Sequence, residues 1–175
     1  MSNEASQAGE SEVAATRVAV PTAGRIEDVL ARDGVYVSTT VGRSMWPMLR
    51  NRRDTIVITP PAGRLSRFDV PLYRRGDDYV LHRVVGLRPG GYRIIGDNCL
   101  AYEDVDEGRV IGVLTAFYRG DKPVDMQGVP YRAYVRAWRA IYPLRALLMR
   151  ARALAARSPL GDVVRAARRA RGGAR

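Results

Sequence analysis

The chain has 175 residues, 46% of them hydrophobic and 27% charged, which suits one ordinary buried core with an appendage rather than two full domains. A single cysteine, Cys99, excludes an intramolecular disulfide, and with a single histidine, His82, it excludes the usual zinc ligand sets, so no metal or other cofactor is expected. The formal net charge of +11 sits at one end: from Pro130 onward there are twelve arginines against one acid, Asp162, while the preceding residues balance seventeen basic against seventeen acidic groups.

Residues 1 to 23 read as a disordered leader, with too little apolar surface to offset the entropy of ordering. The leader lacks the basic start and apolar run of a secretory signal. No apolar stretch anywhere reaches the length of a membrane-spanning helix, so the expected location is the cytoplasm or a membrane periphery.

The segment 24 to 125 reads as the main domain. It opens with a short amphipathic helix over 25–33, where Ile26, Val29 and Leu30 share a face and Gly34 provides the stop. Runs rich in β-branched and aromatic residues follow, at 35–41, 55–58, 70–73, 79–85, 92–95 and 110–118, separated by turns containing glycine, proline and aspartate. Arg74-Arg75-Gly76-Asp77-Asp78 and Arg88-Pro89-Gly90-Gly91 have hairpin-turn composition, and the first delivers His82 on the strand after it. Many short strands without interleaved helices predict a mainly β, antiparallel domain.

Beyond Pro130 the period becomes helical. Tyr131, Tyr134, Val135, Trp138 and Tyr142 form one stripe and Arg132, Arg136 and Arg139 another; Pro143 is expected to kink or divide the helix, and a further short helix is expected near 160–171. The stripe suits docking on the β domain. The arginine-rich 130–175 segment also suits an anionic membrane surface, and nucleic acid is the weaker partner because no base-reading module is visible.

Ser44 and His82 are candidates for one catalytic unit. A serine hydroxyl is a poor nucleophile until a base takes its proton, and imidazole is the usual protein base near neutral pH. Ser44-Met45-Trp46-Pro47-Met48-Leu49 is followed in order by Asp54-Thr55-Ile56-Val57, Arg67-Phe68-Asp69-Val70, Leu81-His82-Arg83-Val84-Val85, Gly96-Asp97-Asn98 and Ile111-Gly112-Val113. This series resembles the signal-peptidase and SOS-repressor group of serine peptidases over about residues 35 to 118, with Phe68 in place of a glycine. Histidine followed by Arg-Val is similar to the archaeal and endoplasmic-reticulum type, whose base is histidine rather than lysine.

The resemblance implies a signal-peptidase/SOS-repressor-type β domain and hydrolysis of a peptide bond in a protein or peptide precursor. Ser44 would be the nucleophile and His82 the base. The acid orienting the imidazole would be Asp97, Glu103 or Asp104, with Asp104 expected and Asp97 holding the loop as a further member of the catalytic group. The backbone N–H of Ser44 would meet the oxyanion, with Gly42 permitting close approach. Two other readings follow from the same residues: self-cleavage, for which Ala23–Gly24 is the candidate bond, and a catalytically silent β module carried by a basic tail.

Overall fold

The computed structural model describes residues 15 to 19 and 24 to 157. They fall into two units, one within Glu12–Arg136 and one that takes in residues 137 to 157. The first unit is mainly antiparallel β.

Its strands are β1 (Arg17–Val18), β2 (Tyr36–Val41), β3 (Asp54–Thr59), β4 (Pro71–Arg75), β5 (Asp78–Leu81), β6 (Arg83–Arg88), β7 (Gly91–Ile95), β8 (Glu103–Asp106), β9 (Val110–Arg119) and β10 (Lys122–Val124). A short helix, α1 (Ile26–Asp33), buries Ile26 and Leu30 and ends at Gly34, whose left-handed φ of 70° a glycine adopts without steric cost. Seven strands form one sheet in the order β10-β9-β3-β2-β1-β5-β4, and an added β9–β4 pairing closes six of them into a barrel. The remaining three form a second sheet, β6-β7-β8. In β3, Asp54, Ile56 and Ile58 point inward and alternate with half-exposed neighbours, the period of two that a one-sided strand requires. The inward side chains of β3 join Leu72, Leu81, Leu114, Phe117 and the methionines after β2 in the main core.

Both expected hairpins form, each around two residues: Arg75 pairs with Asp78 across Gly76-Asp77, and Arg88 pairs with Gly91 across Pro89-Gly90. The apolar run 79–85, however, is not one strand. It breaks at His82, because Phe68 N–H donates to Val84 O at 2.9 Å and Val84 N–H to Asp69 O at 2.8 Å, drawing the chain off β4 and into the second sheet. His82 therefore stands at the junction of the two sheets.

The expected leader of 1–23 requires correction within residues 15 to 19, which are extended and supply β1; residues 1–14 and 20–23 lie outside the described residues. The expected boundary at residue 130 also moves. Helix α2 (Val129–Ala140) begins in the β unit, where Val135 is buried and Tyr131 and Tyr134 pack on the main core. Pro143 falls in the first turn of α3 (Tyr142–Arg157), where its missing N–H is no loss, and it divides the two helices as its position suggests. Within the second unit, Arg145 lies 3.7 Å from the centre of the Trp138 ring and Arg139 lies 4.7 Å from that of Tyr142. The helix expected near 160–171 lies outside the described residues. Among those described, no helix is long and apolar enough to cross a membrane.

Candidate active site

Ser44 lies in the turn that follows β2, and the turn is pinned from several sides. Gly42 has φ of 118°, and a Cβ there would sit 2.1 Å from the Ala15 carbonyl oxygen, so a side chain is excluded by both conformation and space. Asn51 Oδ1 accepts the Gly42 N–H at 2.9 Å. Asp54, fully buried, accepts the Arg50 backbone N–H at 2.8 Å and pairs with its guanidinium at 2.7 Å, folding the segment back on itself. Met45, Met48 and Leu49 anchor it in the core. The Gly96-Asp97-Asn98 loop closes from behind: Asn98 N–H donates to Ser44 O at 2.7 Å, and a Cβ on Gly96 would come within 2.9 Å of Ser44 Cβ.

Ser44 and His82 meet. The Ser44 Oγ to His82 Nε2 distance is 3.1 Å, and both residues are buried, at 0% and 4% exposure. The other ring nitrogen, Nδ1, lies 3.2 Å from the Tyr73 hydroxyl, which donates to Glu103 Oε2 at 2.7 Å. Burial, and then the Glu103 carboxylate, push the Tyr73 pKa up, so its proton stays in place. With that proton committed to Glu103, the Tyr73 oxygen can only accept from His82, which assigns the hydrogen to Nδ1 and leaves Nε2 as the acceptor facing Ser44. Arg75 donates to Glu103 Oε1 at 2.8 Å and holds the carboxylate in position.

Burial dominates the titration of His82. It lowers the pKa to about 4, against the opposing pull of Glu103, so the imidazole is neutral and proton-accepting throughout the neutral range. Among the described residues, the Ser44 N–H meets no acceptor.

The expected acids separate. Asp104 is not at the site: it points away from the core and is shared between Arg88 and Arg93. Its neighbour Glu103 reaches His82, with Oε1 3.8 Å from Nδ1 in addition to the Tyr73 bridge. The reason is strand parity, since β8 buries Val105 and therefore turns Glu103 to the same side and Asp104 to the other. Asp97 faces Arg83, and its charge draws the His82 pKa upward, less than Glu103 does. Its two oxygens are taken by Arg83 Nε and Nη2 at 2.8 and 2.7 Å in a buried pair, so its role is to hold the loop. The same guanidinium donates to Phe68 O at 3.0 Å and Tyr131 OH at 3.2 Å, tying α2 and the Phe68 turn to the back of the site. Phe68, which stands where the resemblance expects glycine, adopts a φ of 82°.

Sequence reasoning missed Tyr73 and Arg75. The signal was present in the hairpin: a two-residue turn at Gly76-Asp77 sets Tyr73 opposite Val80, close to the end of the strand that leads to His82. It also missed Thr16, whose backbone N–H donates to Ser44 Oγ at 2.7 Å and whose hydroxyl accepts from Met45 N–H at 3.0 Å. Cys99 is half-buried, and burial pushes its thiol pKa up to about 11, which suits a small packing residue and not a nucleophile. Among the described residues, no three side chains of metal-ligating type converge. No protein-family model matches the chain, and no curated protein matches it.

Proposed function

We propose that this chain is a serine endopeptidase of the signal-peptidase-like group that removes a leader from a protein or peptide precursor. The observation that carries the reading is the hydrogen-bonded series Ser44, His82, Tyr73, Glu103, whose proton arrangement leaves Nε2 free to accept from Ser44 Oγ. The ordered motif series around Ser44 and His82 supports the same class.

In the proposed reaction Ser44 Oγ attacks the scissile carbonyl carbon as Nε2 takes its proton. The developing oxyanion faces the Ser44 N–H, and the imidazolium formed is stabilised through Tyr73 by Glu103. The proton then passes to the departing amine, leaving an acyl-serine, and water resolves the ester with His82 again as base. Glu103 acts through Tyr73, so both are positioning residues.

The test is digestion of a peptide library by the purified chain, with products identified by mass spectrometry. Cleavage is expected from the wild type and not from Ser44→Ala or His82→Ala; cleavage that survives both substitutions would assign the activity elsewhere.

For the tail we propose attachment to an anionic membrane surface. Leu144, Leu147, Leu148 and Leu154 are exposed on α3 beside Arg150 and Arg152, a composition suited to a helix lying in a lipid interface. Co-sedimentation with phosphatidylserine vesicles is expected to weaken at high salt, and equal sedimentation with neutral vesicles would contradict it.

A further inference from the structure

The strand that covers Ser44 belongs to the chain itself. β1 is two residues long and lies between β2 and β5, with Arg17 opposite both Val41 and Val80 and Val18 opposite Thr40. Thr16 O accepts from Leu81 N–H at 3.0 Å, so the segment also bonds to the residue that precedes His82. Without residues 15 to 18, the barrel has a slot between β2 and β5, with unpaired backbone on both sides and the Ser44–His82 pair at its end. Such a slot takes an extended peptide, because a strand supplies the backbone groups both edges lack.

The way residues 15 and 16 meet Ser44 is obstructive. The peptide joining Ala15 to Thr16 is trans, so its N–H and carbonyl oxygen point in opposite directions within one plane. The Thr16 N–H donates to Ser44 Oγ, which places the oxygen at the N–H edge of that plane. Attack on the Ala15 carbonyl carbon requires approach from a face of the plane, so the bond nearest the nucleophile is held out of line. The same contact engages the Ser44 oxygen, and Ala15 O occupies the space beside Gly42.

The fit is also imperfect. The Thr40 hydroxyl, in register with Val18, is buried without a hydrogen-bond partner among the described residues. A valine cannot satisfy it, and a buried unpaired hydroxyl weakens the docked state. Added to the shortness of β1, this makes the segment displaceable by a strand that offers Thr40 a partner.

We infer that residues 15 to 18 are an internal inhibitory strand, filling the extended-peptide slot between β2 and β5 and capping Ser44 until a substrate strand displaces them. The inference rests on the peptidase reading for its consequence and on the barrel geometry for its mechanism.

Two full-length variants test it. In Val18→Asp a carboxylate replaces a buried side chain of β1, and because one hydrogen bond from the Thr40 hydroxyl does not offset the cost of burying that charge, the slot opens. In Arg17→Cys/Val41→Cys an oxidised cross-link between directly paired, exposed positions locks it shut. The probe is a fluorescein-labelled peptide of residues 13 to 20, followed by anisotropy. V18D is expected to bind it at least tenfold more tightly than wild type, and the oxidised double variant not at all, with reduction restoring the wild-type level. Equal binding by V18D and wild type, or binding by the locked form equal to that of V18D, overturns the inference. If V18D does not fold, the oxidised and reduced forms of the cross-linked variant decide, and equal binding by the two overturns it. Fluorophosphonate labelling of Ser44 provides a separate readout, expected to be at least tenfold faster in V18D than in the locked form. Binding to V18D without labelling leaves the strand's role standing and counts against the peptidase; equal labelling of all forms removes the strand's role and keeps the peptidase.

Discussion

At the scale of single residues, the site turns on where one proton sits. Tyr73 gives its hydrogen to Glu103 and so must accept from His82 Nδ1, which forces the tautomer that faces Ser44 with a lone pair. Tyr73→Phe removes that acceptor and Glu103→Ala removes the group that fixes the Tyr73 proton, so each is expected to lower kcat/KM by roughly 10- to 100-fold with KM little changed. Asp104→Ala is expected to leave activity within about twofold, since among the described residues its carboxylate pairs with Arg88 and Arg93, outside the site. Steady-state kinetics on any cleaved peptide separates these outcomes, and a large loss in Asp104→Ala would reverse the assignment of the two acids.

His82 also links stability to pH. Its folded pKa of about 4 lies below the ordinary histidine value of 6.5, so the unfolded chain binds more protons between those limits. The contribution is fully present above about pH 6.5, falls as pH drops and is gone near pH 4, a loss of about 3 kcal/mol in all. Urea titrations of wild type and His82→Gln across that window should show a steeper decline for wild type, and parallel curves would contradict the buried neutral imidazole.

At the scale of elements, the Arg83–Asp97 pair joins structures that no single strand could align. Arg83 comes from the start of β6 and Asp97 from the loop after β7, while Phe68 and Tyr131 bring in a turn and α2. Asp97→Ala would leave the guanidinium buried and unpaired, with an expected loss of about 3–5 kcal/mol in denaturant-induced unfolding. A loss below about 1 kcal/mol would mean the loop is held by other contacts.

Much of this was legible in the residues, and the failures have physical causes. Strands with two or more inward apolar side chains announced themselves, as Ile56 and Ile58 do in β3. β8 did not, because Val105 is its single apolar residue between acids. That one valine nevertheless determines parity, and reading it would have selected Glu103 over Asp104. β1 was invisible for another reason. Arg17 and Val18 are ordered by the slot between β2 and β5, and nothing in a two-residue segment reports the edges it will meet. The break at His82 was hidden likewise, since Tyr79 to Val85 keeps strand composition while its partners change from β4 to β7.

At the scale of the whole molecule, a near-neutral β unit carries the Ser44–His82 pair and a basic helical segment follows it. The barrel sets Ser44 and His82 at a junction of two sheets, where strand ends from both can reach the imidazole, and the chain's own strand occupies the groove that leads there. The most direct test of the central claim compares precursor N-termini by mass spectrometry in cells carrying wild type, Ser44→Ala or His82→Ala. A defined set of precursors is expected to keep its leader in both variants and lose it with wild type, whereas identical N-termini in all three would contradict the peptidase reading.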